Sequence, residues 1–307
     1  MTSDLRPVAG LAMLVAAAGC APTYAHVETA SLASKDGLRC RGHFVWQDRV
    51  DHAFVVMHGT GTRSNAFVPP AFESLIAERP VLFATFDRPG VSAPFGDPDE
   101  VTRDPEALEA VTQDHVLACA DSAAQWIRER FGAEPALHLR GHSEGALIAL
   151  RLYERLGLNP TRAQQIRSLI LSGTPLEPFD TIVKRQLEDV VAQQDGGAVR
   201  DAVASCDWPT MQTALGVSCR YLDDAARQPT GFDAFRALAA LRAPARIFVF
   251  HGTADWNAPV APVRELERWA AGGPLHLEVR YYEGGHTGPP PEARRALQAV
   301  LQRVTEP

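Results

Sequence analysis

The feature that most constrains this chain is a repeated switch of hydrophobic period. Short apolar runs of β-prone residues occur at 53–57 (AFVVM), 81–86 (VLFATF), 136–140 (ALHLR), 168–171 (SLIL), 246–250 (RIFVF) and 275–281 (LHLEVRY), and each is followed closely by glycine. Between them lie segments with helical spacing of apolar residues, at 70–78, 105–131, 144–156, 260–271 and 291–304. Runs with little polar alternation are buried on both faces, which a mostly parallel sheet achieves between two helix layers. Residues 38–46 precede them as an opening hairpin strand. From 176 to 243 the alternation stops. That stretch holds ten acids and seven bases, so it reads as a helical cap insert rather than a greasy lid, because a loop of that length without structure is implausible.

The remaining composition narrows the function classes. Net charge is −7 over 307 residues, which offers nucleic acid no basic surface. No apolar run reaches the length of a spanning helix. The N-terminus stands apart. Residues 7–19 (PVAGLAMLVAAAG) form an apolar, small-residue core of signal-peptide length ending at Cys20. Ala17-Ala18-Gly19-Cys20 resembles the lipobox of bacterial lipoproteins, with Ala17 where that family usually has Leu. The resemblance implies a signal peptide over 1–19, lipid on Cys20, a tether over 20–35 and a catalytic domain over 36–307. The domain would then sit at a membrane surface facing the periplasm or exterior. An ordinary signal cut near Ala18 or Ala25 gives a soluble periplasmic or secreted protein instead. Export leaves Cys40, Cys119, Cys206 and Cys219 in an oxidising compartment. Cys206 and Cys219 lie close together within the insert and are a candidate pair; the alternative is free buried thiols. No cysteine has a C-x-x-C partner, so zinc or redox chemistry has little support.

Chemistry-bearing residues gather where the runs end. Gly141-His142-Ser143-Glu144-Gly145 fits G-x-S-x-G between a strand and a helix. Such a turn strains the backbone and lifts the serine hydroxyl above the sheet; the bland alternative is a capping serine. A serine nucleophile needs a base, and the base needs an orienting acid. His286, after Gly284-Gly285, is placed to be the base. Asp255 is the acid candidate, with Glu177, Asp180 and Asp87 as rivals, because Asp255 alone gives the order Ser, Asp, His from the penultimate strand. Its bland role is a helix cap. The N–H of Glu144 and that of Thr60, in His58-Gly59-Thr60-Gly61, are the candidate oxyanion donors. The Glu144 carboxylate suits a helix start, with a substrate amine as a second possible partner.

In this order His58-Gly59, Asp87-Arg88-Pro89-Gly90, the Ser143 turn, Asp255 and Gly285-His286 resemble the α/β-hydrolase superfamily over the whole chain from about Leu38. The similarity is nearest to its esterase, monoglyceride-lipase-like and serine-aminopeptidase-like members. It implies an eight-stranded sheet, a Ser143-His286-Asp255 triad, no cofactor or metal and a small-molecule ester substrate. A peptidase would require an acid for a substrate amine. Two readings compete from other classes: a non-catalytic surface lipoprotein on the same fold, and a dinucleotide site using Gly59, Gly61 and Asp87. The last has Ser64 in place of the third glycine and leaves the triad residues unexplained.

Overall fold

The computed structural model describes residues 24–306 apart from 62, 180, 184, 187–200, 202–203, 208–210, 212–215 and 242–244. The signal segment, Cys20 and Asp180 therefore lie outside the described residues. Its frame is an eight-stranded sheet in the order β1-β2-β4-β3-β7-β8-β9-β10. The strands are β1 (His26–Ala33), β2 (Arg39–Trp46), β3 (His52–Met57), β4 (Val81–Asp87), β7 (Ala136–His142), β8 (Ile166–Ser172), β9 (Arg246–Gly252) and β10 (His276–Tyr282). A separate two-stranded ribbon pairs β5 (Val91–Ser92) with β6 (Thr102–Arg103). The first two pairings of the large sheet are antiparallel and the others parallel.

Alternate residues of the central strands enter two cores, as their unbroken apolar character requires. Val55, Leu139 and Val249 face one core with α3 (Gln113–Phe131), α4 (Glu144–Gly157) and α8 (Val260–Ala270). Phe54, Ile170 and Phe250 face the other, which α1 (Pro70–Glu78) and α9 (Pro291–Val304) cover. The parallel strands β3, β4, β7, β8, β9 and β10 carry their C-terminal ends to one edge, where the loops of the site gather.

Three local features differ from the sequence expectations. The helical segment 105–131 is two helices, α2 (Pro105–Ala110) and α3. Thr112 turns extended between them, its hydroxyl accepting from the His115 N–H while the His115 ring accepts from the Thr112 N–H. This capping box starts a new helix where helical spacing continues unbroken. A short helix not expected, α5 (Pro160–Gln165), follows the cap Asn159. Finally, 26–33 is no tether. It is the edge strand β1, paired along its length with β2, and the turn between them uses Asp36 and Gly37 at φ 54 and 80. An edge strand is half-solvated, and of β1 only Leu32 is buried, so its apolar signal is weak. Within 176–243 the described residues include α6 (Cys219–Arg227) and α7 (Gly231–Ala240). Disulfides join Cys206 to Cys219 and Cys40 to Cys119. The second ties β2 to α3.

Candidate active site

Ser143 lies between the last residue of β7 and the first of α4, at φ 55 and ψ −127. The surrounding backbone enforces that conformation. A Cβ on Gly141 would meet Gly145 O at 2.3 Å, and one on Gly145 would meet Met57 O at 2.2 Å. The first oxygen belongs to α4 and the second to β3, so neither can retreat without moving a whole element. The Ser143 N–H donates to Ser172 O of β8 at 2.9 Å. Its hydroxyl makes no capping bond to α4, which removes the capping-serine alternative and leaves the oxygen directed at His286.

His286 reaches Ser143 from the loop after β10. Its Nε2 is 2.8 Å from Ser143 Oγ, and its Nδ1 is 2.8 Å from Asp255 Oδ2. That loop is tied to the one bearing Asp255 by bonds from Thr253 N–H to Tyr282 O and from Ala254 N–H to Gly284 O, both 2.9 Å. Asp255 does not cap α8, whose N-cap is Pro259. Its other oxygen accepts from the Ala258 N–H at 2.9 Å. Burial on its own would raise the Asp255 pKa, but the bonds from His286 and Ala258 and the nearby imidazoles outweigh it and hold the carboxyl below its ordinary value. An ionised Asp255 accepting from Nδ1–H leaves the Nε2 lone pair for the serine proton.

The chain also supplies donors beside the serine. A Cβ on Gly59 would lie 3.0 Å from Ser143 Cβ, so the Gly59-Thr60 backbone passes against Ser143. Among the described residues the Thr60 N–H has no protein acceptor. The Glu144 N–H opens α4 and has no intrahelical acceptor. Thr60 and Ser143, the residue before Glu144, line a cleft of about 670 Å³ whose walls also include Phe67, Arg88 and His286. Among the described residues no group of three His, Cys, Asp or Glu side chains is placed to hold a metal ion.

The model of the alpha/beta hydrolase family matches residues 54–302. The chain belongs to the alpha/beta hydrolase family. No curated protein matches significantly, but solved structures do. An esterase from Pyrococcus furiosus is similar with TM-score 0.62 at 14% identity, over 93% of this chain and 92% of that one. An esterase from Thermogutta terrifontis gives 0.54 at 16% identity, over 91% and 100%. A lipase in its open form gives 0.60 at 16% identity, over 92% and 100%.

The other polar residues of this alpha/beta hydrolase divide by what holds them. Asp87 is fully buried and takes bonds from Ser64 Oγ at 2.8 Å and the Asn65 N–H at 2.6 Å, with His43 Nε2 at 3.2 Å. It braces the loop after β3 and has no access to a ribose, so the dinucleotide reading fails with Ser64 as its partner. The Glu144 carboxylate accepts from Arg88 at 2.9 Å within the interior, under the Tyr221 ring. Glu177 accepts from Arg185 at 2.7 Å. His251 bonds locally to Ala258 O, whereas His58 Nε2 is buried without a partner among the described residues. His142 bonds to Ser172 Oγ at 3.0 Å, and its ring lies 5.0 Å from that of His286. Burial first, then the charge of Arg140, push His58 to about 4 and His142 to about 3. Sequence reading missed Arg88 and Gly173. A Cβ on Gly173 would meet His286 Cε1 at 2.9 Å, and the only sequence signal for it is its place directly after a β-run.

Proposed function

We propose that this hydrolase is an exported serine esterase that cleaves small carboxylic esters through an acyl-enzyme on Ser143. The observation that carries the reading is the unbroken chain from Ser143 Oγ through His286 to Asp255, with two 2.8 Å links. His286 removes the serine proton as Oγ attacks the ester carbonyl, and the N–H groups of Thr60 and Glu144 stabilise the oxyanion. His286 then returns the proton to the leaving alcohol, and water repeats the sequence to release the acid. Asp255 keeps the imidazole in the required tautomer.

The aminopeptidase-like alternative needs a carboxylate for a substrate amine. Glu144 and Glu177 are already engaged by Arg88 and Arg185, which favours the ester reading. A scaffold without catalysis has no use for the strained backbone at Ser143. Export is supported by the signal-like 7–19 segment and by two disulfides. Anchoring by lipid on Cys20 is the specific form we propose. More than one acyl chain would make such an anchor stable.

A fluorophosphonate should label wild type and not Ser143→Ala, and p-nitrophenyl esters of graded chain length should be turned over in preference to aminoacyl-naphthylamides. Ester turnover by Ser143→Ala at the wild-type rate overturns the mechanism. Membrane partitioning of wild type, lost in Cys20→Ser, tests the anchor separately.

A further inference from the structure

On the face of the sheet covered by α9, β7 places a cation beside Phe250 and Tyr282 of the second core. Arg140 follows Phe54 and Ile170 into the layer of that second core. One guanidinium nitrogen donates to Gly141 O and, at 3.3 Å, to Ile170 O; the other terminal nitrogen donates to Ser172 Oγ at 2.9 Å. Among the described residues no carboxylate lies within ion-pair distance of it. Among the described residues its Nε–H and one terminal N–H have no protein acceptor. Arg140 is half-buried, and a guanidinium with unspent donors, no counter-charge and a charge kept at every working pH is a standing site for an anion.

Beside Arg140 is a cavity of about 230 Å³, distinct from the active-site cleft and built from residues that are all described. Arg294, on the first turns of α9, lines it from the solvent side and among the described residues also has no acid partner. Thr287 adds a hydroxyl. Phe250, Tyr282, Ala293 and Leu297 make up much of the remaining wall. No Asp or Glu lines the cavity. His142, His286 and Thr287 line both this cavity and the cleft, so they form the partition between them.

We infer that this cavity is a binding site for a small monocarboxylate with a short alkyl chain. A carboxylate matches the planar fork of a guanidinium and supplies the missing counter-charge. The apolar wall matches an alkyl tail, which inorganic anions lack. The cavity is large enough for a few carbon atoms and too small for a long acyl chain. Short carboxylic acids are what the proposed esterase releases, but the site is assigned from the cavity alone and does not depend on that reaction. An anion held there sits beside His286, which also lines the cleft, so occupancy reaches the imidazole from a second space.

The test is propionate binding measured by ligand-observed NMR on the mature chain. Saturable binding is expected in wild type, and equally after Ser143 has been phosphonylated to fill the cleft. Arg294→Glu, an exposed change that leaves the core untouched, should weaken binding at least tenfold, as should Arg140→Met if it folds. Chloride and inorganic phosphate should compete poorly. Absence of saturable binding, binding abolished by phosphonylation, or binding unchanged in Arg294→Glu would each overturn the assignment. Failure of Ser143 to react with the phosphonate would count against the esterase reading only, since propionate binding would be read on the unlabelled protein.

Discussion

Replacing Gly173 with alanine separates the position of His286 from its chemistry. Gly173 follows β8 at φ +53, and an added Cβ would lie 2.9 Å from His286 Cε1, 3.0 Å from His286 Nδ1 and 3.4 Å from His142 Cε1. Carbon atoms in contact sit about 3.5–4.0 Å apart, so the His286 ring must retreat by roughly 0.5–1 Å. The Ser143 Oγ to Nε2 distance of 2.8 Å then stretches beyond a good hydrogen bond. A misplacement of about 1 Å at a reacting group costs on the order of a hundredfold, equivalent to about 2.7 kcal/mol of barrier. The left-handed conformation adds a stability cost of about 1–2 kcal/mol for alanine, which for a domain of this size lowers Tm by only a few degrees. Gly173→Ala should therefore fold, melt slightly early and lose kcat on p-nitrophenyl acetate with little change in KM. Unchanged kcat, or a loss confined to KM, would refute the reasoning.

Three further outcomes are expected. Burial holds His58 at about 4 and both His138 and His142 at about 3; with folded pKa values below the unfolded value of about 6.5, their contribution to stability is complete above that pH and is lost as pH falls toward the folded values. The slope reaches at most about 4 kcal/mol per pH unit for three groups, so denaturant midpoints should decline from pH 6.5 downward, and a flat profile to pH 4 would sink the idea. Glu144→Ala strands Arg88 in the interior and should cost about 3–5 kcal/mol in chemical denaturation, with activity falling on neutral and amine-bearing esters alike; a selective loss on the amine-bearing ones would revive the peptidase reading. Reducing Cys40–Cys119, which spans 79 residues, should cost about 4.5 kcal/mol by loop entropy, and reducing Cys206–Cys219, which spans 13, about 3 kcal/mol; Cys40→Ser/Cys119→Ser should accordingly lower Tm more than the other double substitution, and the reverse order would contradict the loop-entropy argument.

Much of the fold was legible because its signals are local. A strand buried on both faces must be apolar throughout, and a tight strand-to-helix turn must have glycine where a Cβ would strike backbone. Hence the parallel strands and the turn at Ser143 could be read from short windows, and the order of Ser143, Asp255 and His286 followed from their places at strand ends. The cap insert was legible only as a place where the pattern failed. What the tertiary structure decided depends on residues distant in sequence. In sequence Glu144 is free for a substrate amine; in the fold Arg88, 56 positions away, holds it. Nothing near Cys40 points to Cys119, because a disulfide needs two side chains in register across β2 and α3. His26–Ala33 carries no strand signal of its own, since an edge strand buries too little to imprint its sequence. Gly173 and Arg140 are the clearest cases: one glycine among 23 and one arginine in an apolar run acquire meaning only when the loop after β10 brings His286 and its neighbours against them.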